Sequence, residues 1–348
     1  MIQLHKGDTI AIVSLSRGLL GEDYAKHQLK RGKERLESLG LKVKYMSHSL
    51  KGIDYLESHP EKRAEDLIEA FRDSEVKGII CAIGGEDTYR LTPYLLTREN
   101  QAIIQQNPKF FMGYSDTTVN HLQLYKCGLN TFYGLSYITC FAELGPDLLP
   151  YSRNSFEHIF TDQSFIYQPS SVWYEERTDF SESQIDVPRL KYKEVHGYEL
   201  LQGSETFSGH LLGGCMESLY DLMTGYRHPD EKLINDQYSL IPSLDEWKGA
   251  ILFLENSEAA SRPELLKDML QEFKNRRILD QINGILVGKP QNERYYEEYK
   301  EVYRAIIPPH TPVLYNLNFG HAYPKMLLQY GAYAEVDAKM QTIKINRL

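Results

Sequence analysis

The sequence predicts an α/β protein: a doubly wound parallel-sheet domain at the N-terminus, then a mixed α/β domain rich in short strands. Three observations predict it. Residues 1–140 alternate strand and helix signals, a pattern that calls for a parallel sheet covered on both faces. The chain has 348 residues, more than one ordinary core takes, so two domains are expected. The tail, residues 327–345, alternates apolar and polar side chains as short half-buried strands do.

Taken in order, Thr9–Ser14 reads as a strand and Asp23–Leu39 as a helix closed by Gly40. Lys42–Met46 is a short strand and Glu61–Phe71 an amphipathic helix. Gly78–Ile83 is a strand, Tyr89–Leu96 a helix, Lys109–Met112 a strand and Thr118–Tyr125 a helix. Ligands collect at the carboxyl ends of such strands, and Gly84-Gly85 and Ser115 both fall there. Residues 1–150 make the first domain. Residues 151–208 are polar, aromatic and weakly periodic and form a connecting or substrate-loop region, with Tyr167–Asp179 an exposed connection. Residues 209–348 make the second domain, with Met216–Met223, Glu264–Phe273 and Glu297–Ile306 helical and Ile251–Leu254 and Gly284–Val287 strands.

Composition narrows the function. Apolar content of 42% and charged content of 25% are those of a soluble globular protein. A net charge of −9 argues against nonspecific nucleic-acid binding and against an anionic membrane surface. No apolar run approaches the length that spans a bilayer, and the N-terminus lacks the apolar core and cleavage pattern of a signal peptide. Cys81, Cys127, Cys140 and Cys215 are far apart with no C-x-x-C, so neither structural zinc nor a disulfide framework is expected. Reduced thiols fit a cytoplasmic protein. Neither G-x-x-x-x-G-K-[ST] nor a G-x-G-x-x-G after the first strand is present, so no nucleotide cofactor is expected, nor any other.

The most informative stretch is Pro108–Asn120, PKFFMGYSDTTVN. A buried strand run stops at Gly113-Tyr114-Ser115-Asp116 and a helix follows. A serine at that apex points its hydroxyl away from the sheet, beside the unpaired N–H groups of the helix start, which suits a nucleophile whose intermediate carries an oxyanion. Taken alone, these residues read more simply as an ordinary turn with Ser or Asp as helix cap, and Thr117 stands where G-x-S-x-G has its last glycine. Two later strand runs also end at chemistry-bearing residues: Ile251-Leu252-Phe253-Leu254 at Glu255, and the run after Pro312 at Gly320-His321. A histidine takes and returns a proton at neutral pH. Glu258 is the rival acid; Glu255 is preferred because it directly follows the apolar run.

Four segments together, Ile79–Glu86 (IICAIGGE), Pro108–Thr118, Ile251–Glu255 (ILFLE) and Asn318–His321 (NFGH), resemble serine peptidase family S66, which contains LD-carboxypeptidases and microcin C immunity proteins. Gly7–Val13 resembles its opening strand and Gly209–Gly214 its mid-chain glycine motif, so the likeness spans about residues 7–340. The resemblance implies a two-domain fold with Ser115 as nucleophile on one domain and Glu255 and His321 as acid and base on the other. It implies an oxyanion hole from the N–H groups of Gly85 and Asp116, substrate contacts at Gly84, Glu86 and a loop Trp173 that stacks on a nucleobase, and a homodimer. The implied substrate is a small peptide or an aminoacyl-nucleotide conjugate, cleaved through an acyl-enzyme. Cys215, where the immunity branch often has Asn, and Ala259, where it has a basic residue, depart from that branch, while Ile83–Glu86 resembles it more than the peptidoglycan-recycling branch. A murein-tetrapeptide LD-carboxypeptidase and a catalytically silent small-molecule-binding protein are the alternatives.

Overall fold

The computed structural model describes residues 2–348 and divides into two compact units, Met1–Asp162 with Arg177–Arg189, and Gln163–Glu176 with Leu190–Leu348. The stretch 151–208, set apart above as a connecting region, is thus shared between the two.

In the first unit, strands β1 (Thr9–Val13), β2 (Lys42–Tyr45), β3 (Val76–Cys81), β4 (Phe110–Gly113) and β5 (Phe132–Tyr133) pair in parallel in the order β5-β4-β3-β1-β2. β1, β3 and β4 are near-continuous apolar runs because both sheet faces are covered. One face packs Ala11, Val13, Ile79, Cys81 and Phe111 against Leu67 and Phe71 of the helix Pro60–Arg72 and Leu124 of the helix Thr117–Lys126. The chain leaves β1 toward β2 on one side and returns to β3 on the other. The carboxyl ends of β1 and β3 therefore flank a topological switch point, where open α/β sheets bind ligands.

In the second unit an eight-stranded sheet runs β6 (Phe165–Tyr167), β16 (Thr342–Asn346), β15 (Tyr333–Asp337), β10 (Thr206–Cys215), β11 (Ile251–Glu255), β12 (Gly284–Gly288), β13 (Val313–Leu317), β9 (Glu199–Gln202). The four strands β10 to β13 are parallel; the flanks are antiparallel. β7 (Val172–Tyr174) and β8 (Lys191–Lys193) form a separate two-stranded ladder, and β14 is the two-residue strand Leu328–Gln329. The helix Pro263–Asn275, between β11 and β12, buries Leu266, Met269, Leu270 and Phe273, the spacing of one helical face.

Several elements differ from expectation. Tyr167–Asp179 is not simply an exposed connection: it holds the end of β6 and all of half-buried β7, and Arg177 is buried on Glu143, with Nη2 3.1 Å from Oε1. Three-residue strands are too short to show a period. Asp23–Leu39 begins with a 3-10 turn, Asp23–Ala25, and becomes α-helical at Lys26. Tyr89–Leu96 is a 3-10 turn, Thr88–Leu91, joined to the single turn Thr92–Leu95. Pro93 sits in the first turn of that second piece, where its missing N–H costs nothing.

Candidate active site

The first unit places Ser115 between β4 and the helix Thr117–Lys126, at φ +65°. That left-handed conformation is uncommon for a residue with a Cβ and costs on the order of 1–3 kcal/mol, so the surroundings must enforce it. They do. The Ser115 N–H donates to the Tyr133 hydroxyl at 3.2 Å, and the Ser115 carbonyl accepts from the Thr118 N–H and hydroxyl at 2.8 and 2.7 Å. Tyr133 faces Gly113 across the β4–β5 pairing, so the sheet register brings the phenol to the turn. The strand carbonyl before the turn, Gly113 O, accepts from Nε2 of buried His121 at 3.1 Å. Burial outweighs that bond and pulls the His121 pKa down to about 4, so the ring is neutral.

Gly84 lies against Ser115: a Cβ there would sit 2.8 Å from the Ser115 Cβ, 2.9 Å from Oγ and 3.3 Å from the Asp116 nitrogen. Only a bare backbone fits. Gly85 has the same problem on its other side, where a Cβ would meet Ser16 Oγ at 2.2 Å. The loops after β1, β3 and β4 thus interlock around the switch point. Ser16 Oγ donates to Asp116 Oδ2 at 2.6 Å, the Thr88 N–H to the same oxygen at 3.0 Å, and the Arg17 N–H to Gly84 O at 3.2 Å. Behind them the fully buried Arg63 grips Asp87 with both terminal nitrogens, at 2.7 and 2.9 Å, and donates to Leu15 O and Ser16 O. Glu86 is exposed on this loop.

The second unit brings Glu255 and His321 together. Glu255 ends β11 and is 1% exposed; its Oε2 lies 2.7 Å from His321 Nδ1 and accepts the His321 backbone N–H at 3.2 Å. The glycine before the histidine is required twice over. Gly320 has φ +88°, and a Cβ on it would meet the Glu255 Cβ at 2.5 Å and Oε2 at 2.6 Å. Buried Lys325 donates to the carbonyls of Gly320 and Ala322, one on each side of His321, and its Nζ sits 4.0 Å from the Tyr323 ring centre.

Glu258 is also on this histidine, with Oε2 3.0 Å from Nε2. The two acids thus take different nitrogens: buried Glu255 takes Nδ1, exposed Glu258 takes Nε2. Burial pushes the His321 pKa down, but the two carboxylates outweigh it and hold it up at about 10. The hydrogen bond to His321 holds the Glu258 carboxyl down at about 2, against partial burial.

Trp173 lies on β7, stacked on Tyr192 of β8 with ring centres 4.5 Å apart and 21° between planes; Lys289 Nζ is 5.3 Å from the indole centre. The neighbouring Tyr174 N–H donates to Tyr323 O at 3.0 Å, and the Ser170 N–H to Asn318 Oδ1 at 2.9 Å, so this hairpin is laced to the loop that carries His321. Cys215 ends β10, its buried thiol donating to Glu217 Oε2 at 3.3 Å, and burial raises its pKa well above the usual thiol range.

Among the described residues no cluster of His, Cys, Asp and Glu could hold a metal ion, and no helix is long and apolar enough to cross a membrane. The sequence reading missed Ser16, Tyr133, Arg63, Tyr192 and Lys325. Only Tyr133 had a signal, as an aromatic in the short strand next to the Ser115 turn. The others act through contacts between residues distant in sequence, which no period records.

Residues 10–134 match the model for the LD-carboxypeptidase N-terminal domain of peptidase family S66, and residues 208–336 that for its C-terminal domain. The chain is 30% identical to the microcin C7 self-immunity protein MccF of Escherichia coli over 97% of its own length and 93% of that protein. It is 27% identical to a probable murein peptide carboxypeptidase of Bacillus subtilis, over 98% and 92%. It is similar to the crystal structure of an MccF-like protein from Streptococcus pneumoniae in complex with AMP, at 46% identity and TM-score 0.94, covering 97% of this chain and 98% of that one. With both domain models matched and relatives aligned end to end, the chain belongs to peptidase family S66, and it is a serine-type carboxypeptidase.

Proposed function

We propose that the chain hydrolyses the amide bond of a small aminoacyl-nucleotide or peptide conjugate, with Ser115 as nucleophile, His321 as base and Glu255 as the acid that orients it. The observation that carries this is the 2.7 Å bond from buried Glu255 to His321 Nδ1, which fixes the ring and leaves Nε2 as the nitrogen for proton transfer. Ser115 Oγ attacks the carbonyl carbon and gives its proton to Nε2. The tetrahedral oxyanion is met by the N–H groups of Gly85 and Asp116. Nε2 then protonates the leaving nitrogen as the C–N bond breaks, and water resolves the acyl-enzyme by the same route. Gly84, Glu86 and Trp173 contact substrate. Four buried free cysteines support a reducing, cytoplasmic setting, and the family resemblance supports a homodimer.

A nucleotide-bearing substrate is favoured over a murein tetrapeptide because Trp173 sits in a hairpin tied to the His321 loop, and because the similar pneumococcal structure contains AMP. Tyr192 stacks on the indole and fixes its plane, and Lys289 Nζ lies over the same ring. Trp173→Ala is expected to raise KM for aminoacyl-nucleotide conjugates about tenfold or more, since base stacking is worth about 1–3 kcal/mol. Peptides without a base should change less than about threefold on the same stacking argument. Steady-state kinetics on both substrate types checks this; equal losses on both reject the stacking role.

A further inference from the structure

Glu258 stands where the base should work. With Nδ1 on Glu255, only Nε2 can take the Ser115 proton, yet Nε2 faces a second carboxylate at 3.0 Å. Two carboxylate acceptors require a proton on each ring nitrogen, so this arrangement is imidazolium and cannot accept another proton. The side chain that imposes it is held only from one end. Glu217 fixes the loop, accepting the Ser257 N–H at 3.1 Å and the Ser261 hydroxyl at 2.9 Å, while the Glu258 side chain itself is 61% exposed.

A second observation lies two residues earlier. Asn256 is 8% exposed, and its Nδ2 has no hydrogen-bond partner among the described residues. Buried amide donors are normally satisfied, and one left open in the residue after Glu255, where β11 ends, marks a place for a ligand oxygen.

We propose that Glu258 and Asn256 recognise a substrate with a free α-ammonium: Glu258 leaves His321 Nε2 to bind the ammonium, Asn256 donates to a substrate oxygen, and the exchange frees the base. The inference rests on the role of His321 given under Proposed function. Proton balance is simple. Glu258 departs as a carboxylate, the imidazolium releases its Nε2 proton to solvent, and Nε2 is then open to the Ser115 hydroxyl proton. The other charged and titratable groups coupled to this pair stay in place: Lys325 near Glu258, and Cys215 and Tyr303 near Glu255. The raised His321 pKa agrees with the geometry. The substrate's own cation thus acts as the key, and N-blocked analogues meet a protonated base.

The test compares alanyl sulfamoyl adenosine with its N-acetyl counterpart. Calorimetry on a Ser115→Ala background should show the free amine binding about ten- to a hundredfold more tightly, the range of a charge-assisted hydrogen bond. Adding Glu258→Gln should bring the two within about threefold by weakening the free amine alone. Asn256→Leu should weaken both alike. With Ser115 intact, Glu258→Gln should raise kcat/KM at neutral pH for the N-acetyl substrate and lower it for the free amine, opposite signs that a merely structural role does not give. No preference in the parent, a preference unchanged by Glu258→Gln, or no effect of Asn256→Leu overturns the proposal. Should neither nucleoside bind, the nucleotide reading fails separately, and L-alanyl-D-alanine against its N-acetyl form decides this one by the same criteria; binding of neither dipeptide also overturns it.

Discussion

Ser115→Ala is expected to abolish turnover, lowering kcat by at least about a thousandfold while the fold persists. The size follows from the route. Without the hydroxyl no acyl-enzyme forms, and only positioning and the oxyanion donors remain to help a direct attack by water. The fold should survive because the Ser115 backbone bonds to the turn, its N–H to Tyr133 and its carbonyl to Thr118, are kept by alanine. Near-parental thermal denaturation together with lost hydrolysis is the predicted pair of results. Activity within about tenfold of the parent, on any substrate the parent cleaves, removes Ser115 from the nucleophile's role.

The second large effect belongs to Glu255. Its carboxylate favours imidazolium, so it raises the His321 pKa; Glu258 does the same, and together they outweigh burial. A raised pKa means the neutral base is scarce at low pH. The acid limb of kcat/KM should therefore lie above the ordinary histidine value of 6.5, with activity rising as pH rises through it. Glu255→Gln removes one of the two charges, so the limb should move to lower pH. The same change should cut the rate about a hundred- to ten-thousandfold, because the imidazolium formed during attack loses its buried counter-charge and the ring its orienting acceptor. Glu258→Gln should also move the limb down but spare the rate on N-blocked substrates, since Glu258 holds the opposite nitrogen. pH–rate profiles of the parent and the two variants separate these roles. If, on N-blocked substrates, Glu258→Gln is crippled and Glu255→Gln near normal, the acid has been assigned to the wrong residue.

Much of the framework was legible because it is periodic. Buried parallel strands such as Ile251–Glu255 and amphipathic helices such as Pro60–Arg72 announce themselves by apolar run or spacing, and the structure places them within a residue or two of expectation. The helix Arg98–Gln106 was overlooked although Thr97 caps it, accepting the Asn100 N–H, because few of its residues are buried and its apolar face is narrow. Strands β6 to β9 were invisible since each has only three or four residues. At the site, Ser115, Glu255 and His321 stand out because each closes a strand run. The geometric roles of the glycines did not: that Gly84 abuts Ser115, and that Gly320 makes room for the Glu255 carboxylate, are long-range facts. The division of labour between Glu255 and Glu258 was equally hidden. Three residues separate them in sequence, and only the turn after β11 puts them on opposite nitrogens of one ring.

We propose Ser115 as a nucleophile activated by His321. Its most direct test is covalent: incubation with a serine-reactive phosphonate, followed by proteolysis and mass mapping. The expected result is a single adduct on the peptide containing Gly113-Tyr114-Ser115-Asp116, absent in Ser115→Ala and much slowed in His321→Ala. No adduct at Ser115 would remove it from the nucleophile's role, and an adduct that forms at the parental rate without His321 would remove the histidine from the role of base.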